Sequence, residues 1–72
     1  MAERTIKAEL TGTVIAVERN IGDSVAADDI ILVMESMKME MPIATPMAGC
    51  ITWLAAEGDQ VAEGQPLVKI AS

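Results

Sequence analysis

The chain has 72 residues, hydrophobic side chains at 51% of its positions and a formal net charge of −6. A chain of this length buries a limited share of its surface, so we expect residues 1–72 to form a single domain with one compact core. Its 5 basic residues are dispersed, which argues against nucleic acid and anionic membranes as partners, because both are bound through clustered positive charge.

Cysteine and histidine usage further limits the chemistry. The chain has one cysteine and no histidine, which excludes an internal disulfide and a metal site built from histidine and cysteine. Residues 1–5 lack the apolar segment of a secretory signal, and the longest aliphatic run, residues 30–34, is too short to span a membrane. We therefore expect no membrane association and a cytoplasmic, or otherwise reducing intracellular, location.

Alternation of apolar and polar residues predicts short β-strands along the chain. The alternation is clear at residues 6–10 and again at 39–43, and the aliphatic run 30–34 is typical of a buried strand. Gly-Asp pairs at 22–23 and 58–59 indicate turns, in which glycine supplies a positive φ and aspartate bonds nearby backbone amides. The pattern predicts an all-β barrel or sandwich.

The chain also contains an internal repeat. Residues 11–15 match residues 48–52, and residues 21–26 match residues 57–62. Corresponding glycines are 37 residues apart at positions 12 and 49, and 36 residues apart at positions 22 and 58. Two copies of one strand, turn and strand unit predict a pseudo-twofold architecture.

Three positions in and beside the repeated strands are interpreted as structural. Gly12 and Gly49 are expected either where another segment approaches the backbone closely or at β-bulges, and not as ligand sites. Cys50 has no neighbouring base or cluster of basic residues in the sequence, and a nucleophilic cysteine needs one of these. We therefore expect no catalytic role for Cys50.

The joint between the two halves carries one lysine between two methionines. Residues 35–38 are predicted to turn the chain between two strands, so that Lys38 lies at or beside the tip. Met37 and Met39 are unusual there, because polar residues and glycine dominate turns. Exposed apolar side chains around one amine suggest a surface recognised by a partner, with the amine as the target. The alternative is an exposed turn lysine without a special role.

Three stretches together resemble the biotinyl domain of biotin-dependent carboxylases. They are Glu-Ser-Met-Lys-Met-Glu at 35–40, Pro-Met-Ala-Gly at 46–49 and the segment 57–67. The resemblance covers about residues 6–70. It implies a flattened, capped barrel-sandwich of two four-stranded antiparallel sheets with quasi-twofold symmetry, and a biotinyl lysine on an exposed hairpin turn. No extra segment separates the first-half strands, so the thumb of some carriers is expected to be absent.

The resemblance implies that Lys38 carries biotin through an amide bond made by a biotin protein ligase. Biotin would then move a carboxyl group from a biotin carboxylase site to a carboxyltransferase site, the domain being a monomeric, non-catalytic carrier. Met37 and Met39 correspond to the family's flanking methionines and Glu35 to an acidic residue of its motif. These three residues are expected to be recognised by the ligase and the carboxylase partners.

The chain departs from the family's pattern at two places. Ser36 stands where the family most often has alanine, and we expect this exchange of small residues to be tolerated. Asp28 stands in a turn where the family commonly has glycine in both halves. Aspartate accepts a positive φ better than most residues, so we expect the turn to form.

Two alternatives remain open at this point. A lipoyl carrier shares the fold and the hairpin lysine, but that family usually has aspartate before its lysine and alanine after it, where this chain has methionine twice. An unmodified barrel-sandwich serving as an interaction module would need no special lysine. An enzyme is least favoured, because the sequence offers neither a nucleophile with a base nor a set of metal ligands.

Overall fold

A computed structural model describes residues 2–72 of the protein, which contain eight short β-strands. The strands are β1 Glu3–Lys7, β2 Gly12–Val17, β3 Ser24–Val25, β4 Ile30–Ser36, β5 Met39–Ala44, β6 Gly49–Leu54, β7 Gln60–Val61 and β8 Pro66–Ala71. They form two antiparallel sheets with the strand orders β1-β8-β6-β3 and β5-β4-β2-β7. The predicted all-β sandwich of two four-stranded sheets is confirmed. Between residues 2 and 72 there is no helix long and apolar enough to cross a membrane.

The two sheets are equivalent halves of a pseudo-twofold arrangement. A shift of 36 or 37 residues takes β2, β3 and β4 onto β6, β7 and β8, and the shift of 36 takes β1 onto β5. Applied to the strand order of one sheet, this exchange gives the strand order of the other. The quasi-twofold symmetry predicted from the repeat is therefore confirmed, and it extends to the β1 and β5 edge strands.

The core lies between the sheets and is formed by aliphatic side chains and methionine. The two equivalent strands β4 and β8 contribute three buried side chains each: Ile31, Leu32 and Met34, and Leu67, Val68 and Ile70. Full burial of one such side chain stabilises the fold by about 1.5–3 kcal/mol. Trp53, the single aromatic residue, is 39% exposed on β6 and lies outside this core.

The first strand differs from its prediction. The alternation at 6–10 predicted a strand there, but β1 ends at Lys7. The amide of Ala8 instead donates to the carbonyl oxygen of Gln65 at 2.9 Å, and the carbonyl oxygen of Ala8 accepts the amide of Gly64 at 2.8 Å. These bonds take the chain away from the β1–β8 ladder and leave Leu10 exposed in the connection to β2.

Four surface turns share one geometry. In each, the amide of the fourth residue donates to the carbonyl oxygen of the first, and the third residue has a positive φ. In three turns the last residue is an aspartate, and its carboxylate accepts a hydrogen bond from the amide of the first residue at 2.8–2.9 Å. In the remaining turn the side-chain oxygen of Gln65 accepts the equivalent hydrogen bond. The predicted role of the Gly-Asp pairs is confirmed. The third positions are Gly22, Asp28, Gly58 and Gly64.

Gly12 and Gly49 lie where neighbouring strands leave no room for a side chain. A Cβ atom at Gly12 would overlap the carbonyl oxygen of Glu35, and one at Gly49 would lie 2.5 Å from the carbonyl oxygen of Ala71. The two contacts are equivalent under the pseudo-twofold symmetry. Of the two expectations for these glycines, a close approach or a β-bulge, the close approach is the one observed.

Asp28 is the non-glycine member of the four turns and has a φ of 73°. Because a Cβ atom is strained there, Asp28→Gly should raise the free energy of unfolding by up to about 1 kcal/mol, while Asp28→Ala should lower it by about 1 kcal/mol. Urea denaturation followed by circular dichroism measures both changes. Equal stability of the alanine and glycine variants would show that φ does not limit this turn.

Addition of a methyl group at the close contacts should destabilise the sandwich. Gly12→Ala and Gly49→Ala should each lower the free energy of unfolding by about 1–3 kcal/mol, the usual cost of overpacking. Ser24→Ala is the control, because Ser24 is exposed on β3 and its change should cost less than about 0.5 kcal/mol. Thermal unfolding midpoints that are the same for Gly12→Ala and Ser24→Ala would contradict a close contact at Gly12.

Candidate functional site

The candidate site is the tip of the hairpin formed by β4 and β5. Ser36 pairs with Met39 and Glu35 pairs with Glu40, so the chain reverses direction within two residues. Those residues are Met37 and Lys38. The predicted turn at 35–38 was too wide, because Glu35 and Ser36 still belong to β4, but Lys38 lies in the turn as expected.

Both turn residues adopt the left-handed backbone conformation. Met37 has a φ of 53° and Lys38 a φ of 65°. Two-residue hairpin loops of type I′ require a positive φ at both positions, and they favour Asn-Gly because other side chains are strained there. Met-Lys has no local preference for this conformation. The pairing of β4 with β5 therefore imposes it on the tip.

The side chains at the tip extend into solvent. Met37 is 90% exposed and Met39 is 66% exposed, while Lys38 is also exposed. Burial of a methionine against a partner contributes up to about 1.5–3 kcal/mol, so these two side chains offer apolar contact area on both sides of the amine. The predicted exposure of both methionines is confirmed.

Lys38 forms no ion pair in the part of the chain that the structure describes. Between residues 2 and 72, the one ion pair within 4.0 Å joins Arg19 to Asp29 at 3.7 Å. No side-chain hydrogen bond in this range involves Lys38. The amine is therefore available to a partner without the loss of an existing contact.

Two carboxylates lie one residue pair below the turn. Glu35 on β4 and Glu40 on β5 are directly opposite each other and both are exposed. Like charges at directly opposite positions destabilise an antiparallel pair. The sequence prediction included Glu35 and missed Glu40, although the pairing follows once the turn is known to contain two residues. Together the two carboxylates give the tip a negative flank that suits a basic partner surface.

A hydrogen bond connects the tip to a different part of the chain. The hydroxyl group of Ser36 donates to the carbonyl oxygen of Thr11 at 2.7 Å. Thr11 lies in the connection between β1 and β2, 25 residues away in sequence. From the sequence, Ser36 is expected only as a tolerated replacement for alanine, and no local pattern indicates this bond.

No other cluster of reactive groups stands out in the described structure. Within residues 2–72 there is no group of three or more histidine, cysteine, aspartate or glutamate side chains placed to bind a metal ion. Cys50 is exposed on β6, and its Sγ atom lies 3.5 Å from the carbonyl oxygen of Gly22. The tip remains the strongest candidate site.

The chain was compared with known proteins. It is 35% identical over 71 residues to the biotin carboxyl carrier protein of Streptococcus mutans, a match that covers 97% of this chain and 55% of that protein. It is 31% identical to the biotinylated protein TB7.3 homolog of Mycobacterium leprae over the full length of both chains. The chain thus spans about half of the first relative and the whole of the second.

Solved structures with the same fold include carboxylase and lipoyl proteins. A single-chain, multi-domain long-chain acyl-coenzyme A carboxylase matches with a TM-score of 0.85 and 32% identity, over 93% of this chain and 7% of that one. The lipoyl domain of the 2-oxoglutarate dehydrogenase complex of Azotobacter vinelandii matches with a TM-score of 0.81 and 29% identity, over 94% of this chain and 95% of that one. A family model described as "Biotin-requiring enzyme" matches residues 4–70. The chain therefore belongs to the biotin-requiring enzyme family.

Proposed function

We propose that the chain is a biotin carboxyl carrier domain in which Lys38 is joined to biotin by an amide bond. One observation carries the proposal: in a member of the biotin-requiring family, an exposed lysine occupies a two-residue hairpin turn between two exposed methionines. Both relatives named above are described as biotin proteins. The residues present fit this group, because the amine of Lys38 is exposed and unpaired within residues 2–72.

The residues beside Lys38 favour biotin over lipoate. The fold does not separate the two, because a lipoyl domain matches the chain closely. Lipoyl domains usually have aspartate before their lysine and alanine after it, whereas Met37 and Met39 stand there in this chain. The methionines correspond instead to those of biotinyl domains.

In the attachment reaction the amine of Lys38 acts as a nucleophile. The Nζ atom of Lys38 attacks an activated carboxyl group of biotin, a carbon–nitrogen bond forms, and the activating group leaves with the electrons of the carbon–oxygen bond. The ammonium must first give up a proton. Since no described residue between 2 and 72 forms a side-chain hydrogen bond or an ion pair with the amine of Lys38, the proposed proton acceptor belongs to the ligase. The product amide has no charge, so the formal net charge falls by one, from −6 to −7.

In carboxyl transfer, the protein positions the biotin and provides the surface that partner proteins recognise. When bound, biotin supplies the chemistry of a carboxyl carrier. Lys38 tethers it, so that two active sites are visited at a high effective concentration instead of by free diffusion. We propose a biotin protein ligase, a biotin carboxylase and a carboxyltransferase as the partners. Glu35, Met37 and Met39 are exposed within three residues of Lys38 and are the residues proposed for recognition by these partners.

Substitution of Lys38 should abolish modification. After treatment with biotin protein ligase, biotin and ATP, the intact mass of the wild type should rise by one biotinyl group, and Lys38→Arg should show no rise. Lys7→Arg and Lys69→Arg are controls that remove the chain's two other lysines in turn, and both should be modified like the wild type. Lipoate transfer to Lys38 by a lipoate ligase, with no biotin transfer, would support the lipoyl alternative. Failure of both ligases would favour the unmodified interaction module.

The exposed methionines should matter for recognition and not for folding. Met37→Ala and Met39→Ala should change the free energy of unfolding by less than about 0.5 kcal/mol, as expected for surface sites. The KM of the ligase should rise by roughly 3–30-fold as apolar contact area is lost. Met34→Ala is the control, because Met34 is 1% exposed and its truncation should cost about 2–5 kcal/mol. A large loss of stability in Met37→Ala with an unchanged KM would contradict the recognition role.

A further inference from the structure

We propose that Ser36 is a positioning residue that holds the hairpin tip in the conformation that presents Lys38. Ser36 is the last residue of β4, immediately before the turn, and its hydroxyl donates to the main chain of Thr11. The consequence for modification rests on the proposed function. The anchoring of the tip itself is tested on the unmodified protein.

The tip contains two features that oppose its own conformation. Met37 and Lys38 both have a positive φ, which strains side chains other than glycine. Glu35 and Glu40 bring two negative charges to directly opposite positions below the turn. These features lower the stability of the closed hairpin end, so a contact from outside the hairpin stabilises it.

The Ser36 hydroxyl supplies such a contact. Its donor–acceptor distance of 2.7 Å is typical of a well-formed bond between a hydroxyl group and a carbonyl oxygen. The bond crosses from the tip to the connection between β1 and β2. It therefore resists opening of the turn. The ladder bonds between β4 and β5 lie within the hairpin, whereas this bond ties the tip to another part of the chain.

The point of attachment is itself held firmly. Ala8, at the start of that connection, is 3% exposed and exchanges hydrogen bonds of 2.8 and 2.9 Å with the turn at residues 62–65. The hydroxyl group of Thr11 accepts the amide of Glu63 at 3.4 Å. Gly12 then begins β2 in close contact with the carbonyl oxygen of Glu35. The Ser36 bond thus joins a strained tip to a fixed part of the framework.

The pseudo-twofold symmetry provides a matched control. The shift of 36 residues places Ser72 at the position equivalent to Ser36. Its hydroxyl donates to the carbonyl oxygen of Ala2 at 3.4 Å, away from the hairpin tip. Ser72→Ala removes a comparable hydroxyl group without touching the tip.

Amide hydrogen exchange on the unmodified protein tests the anchor. In Ser36→Ala, the amide of Met39, which pairs with Ser36 across the turn, should exchange about 2–10-fold faster, the ratio that corresponds to the loss of one hydrogen bond. Ser36→Thr keeps a hydroxyl group and should restore the slow rate. Ser72→Ala should leave the exchange of Met39 unchanged, and core amides of β8 should exchange at wild-type rates in Ser36→Ala.

The ligase reaction tests the consequence for Lys38. If fewer molecules hold the closed tip, the apparent affinity for the ligase falls by that fraction, so the KM of Ser36→Ala should rise by up to about 10-fold, the limit set by the change in the opening equilibrium, while kcat stays near the wild-type value. Unchanged exchange at Met39 in Ser36→Ala, or equal acceleration at Met39 and throughout β8, would overturn the proposal. A wild-type protein that accepts no biotin would contradict the proposed function, and the exchange rates would still decide the anchor.

Discussion

The register of β4 is the constraint on which the site depends. Leu32 and Met34, two residues apart on β4, are buried in the core, and a slip of one residue in an antiparallel sheet would turn these inward side chains outward. Each lost burial would cost about 1.5–3 kcal/mol. Because β5 pairs with β4 in this fixed register, the chain has two residues in which to reverse direction. The core therefore determines that Met37 and Lys38 form the turn.

The remainder of the fold opposes the strain that this constraint produces. Two side chains are held at positive φ, and two glutamates face each other beside them. Pairing with β2, the close contact at Gly12 and the hydrogen bond from Ser36 all act on the same end of β4. A tip that is already ordered loses less conformational entropy when a partner binds. That property suits the function proposed for Lys38, in which several proteins find it in turn.

Much of this arrangement could be predicted from the sequence, because it rests on local patterns. The repeated Gly-Asp pairs indicated the turns, and the duplicated strands indicated two equivalent sheets. The position of Lys38 followed from the two strands around it. The positive φ at Met37 could not be predicted, because it is imposed by pairing and contradicts local preference. The bond from Ser36 to Thr11 joins residues 25 positions apart, and no local pattern reports such a contact.

In the proposed function, one residue carries the cofactor and others let partners recognise it. Lys38 is proposed as the attachment residue, with Glu35, Met37 and Met39 as the recognition surface around it. Peptide mapping tests the central claim most directly, because trypsin does not cleave after an acylated lysine. After biotinylation, a tryptic digest should contain an uncut peptide of residues 20–69 that carries one biotinyl group. Separate peptides of residues 20–38 and 39–69, with biotin absent or attached elsewhere, would contradict the account.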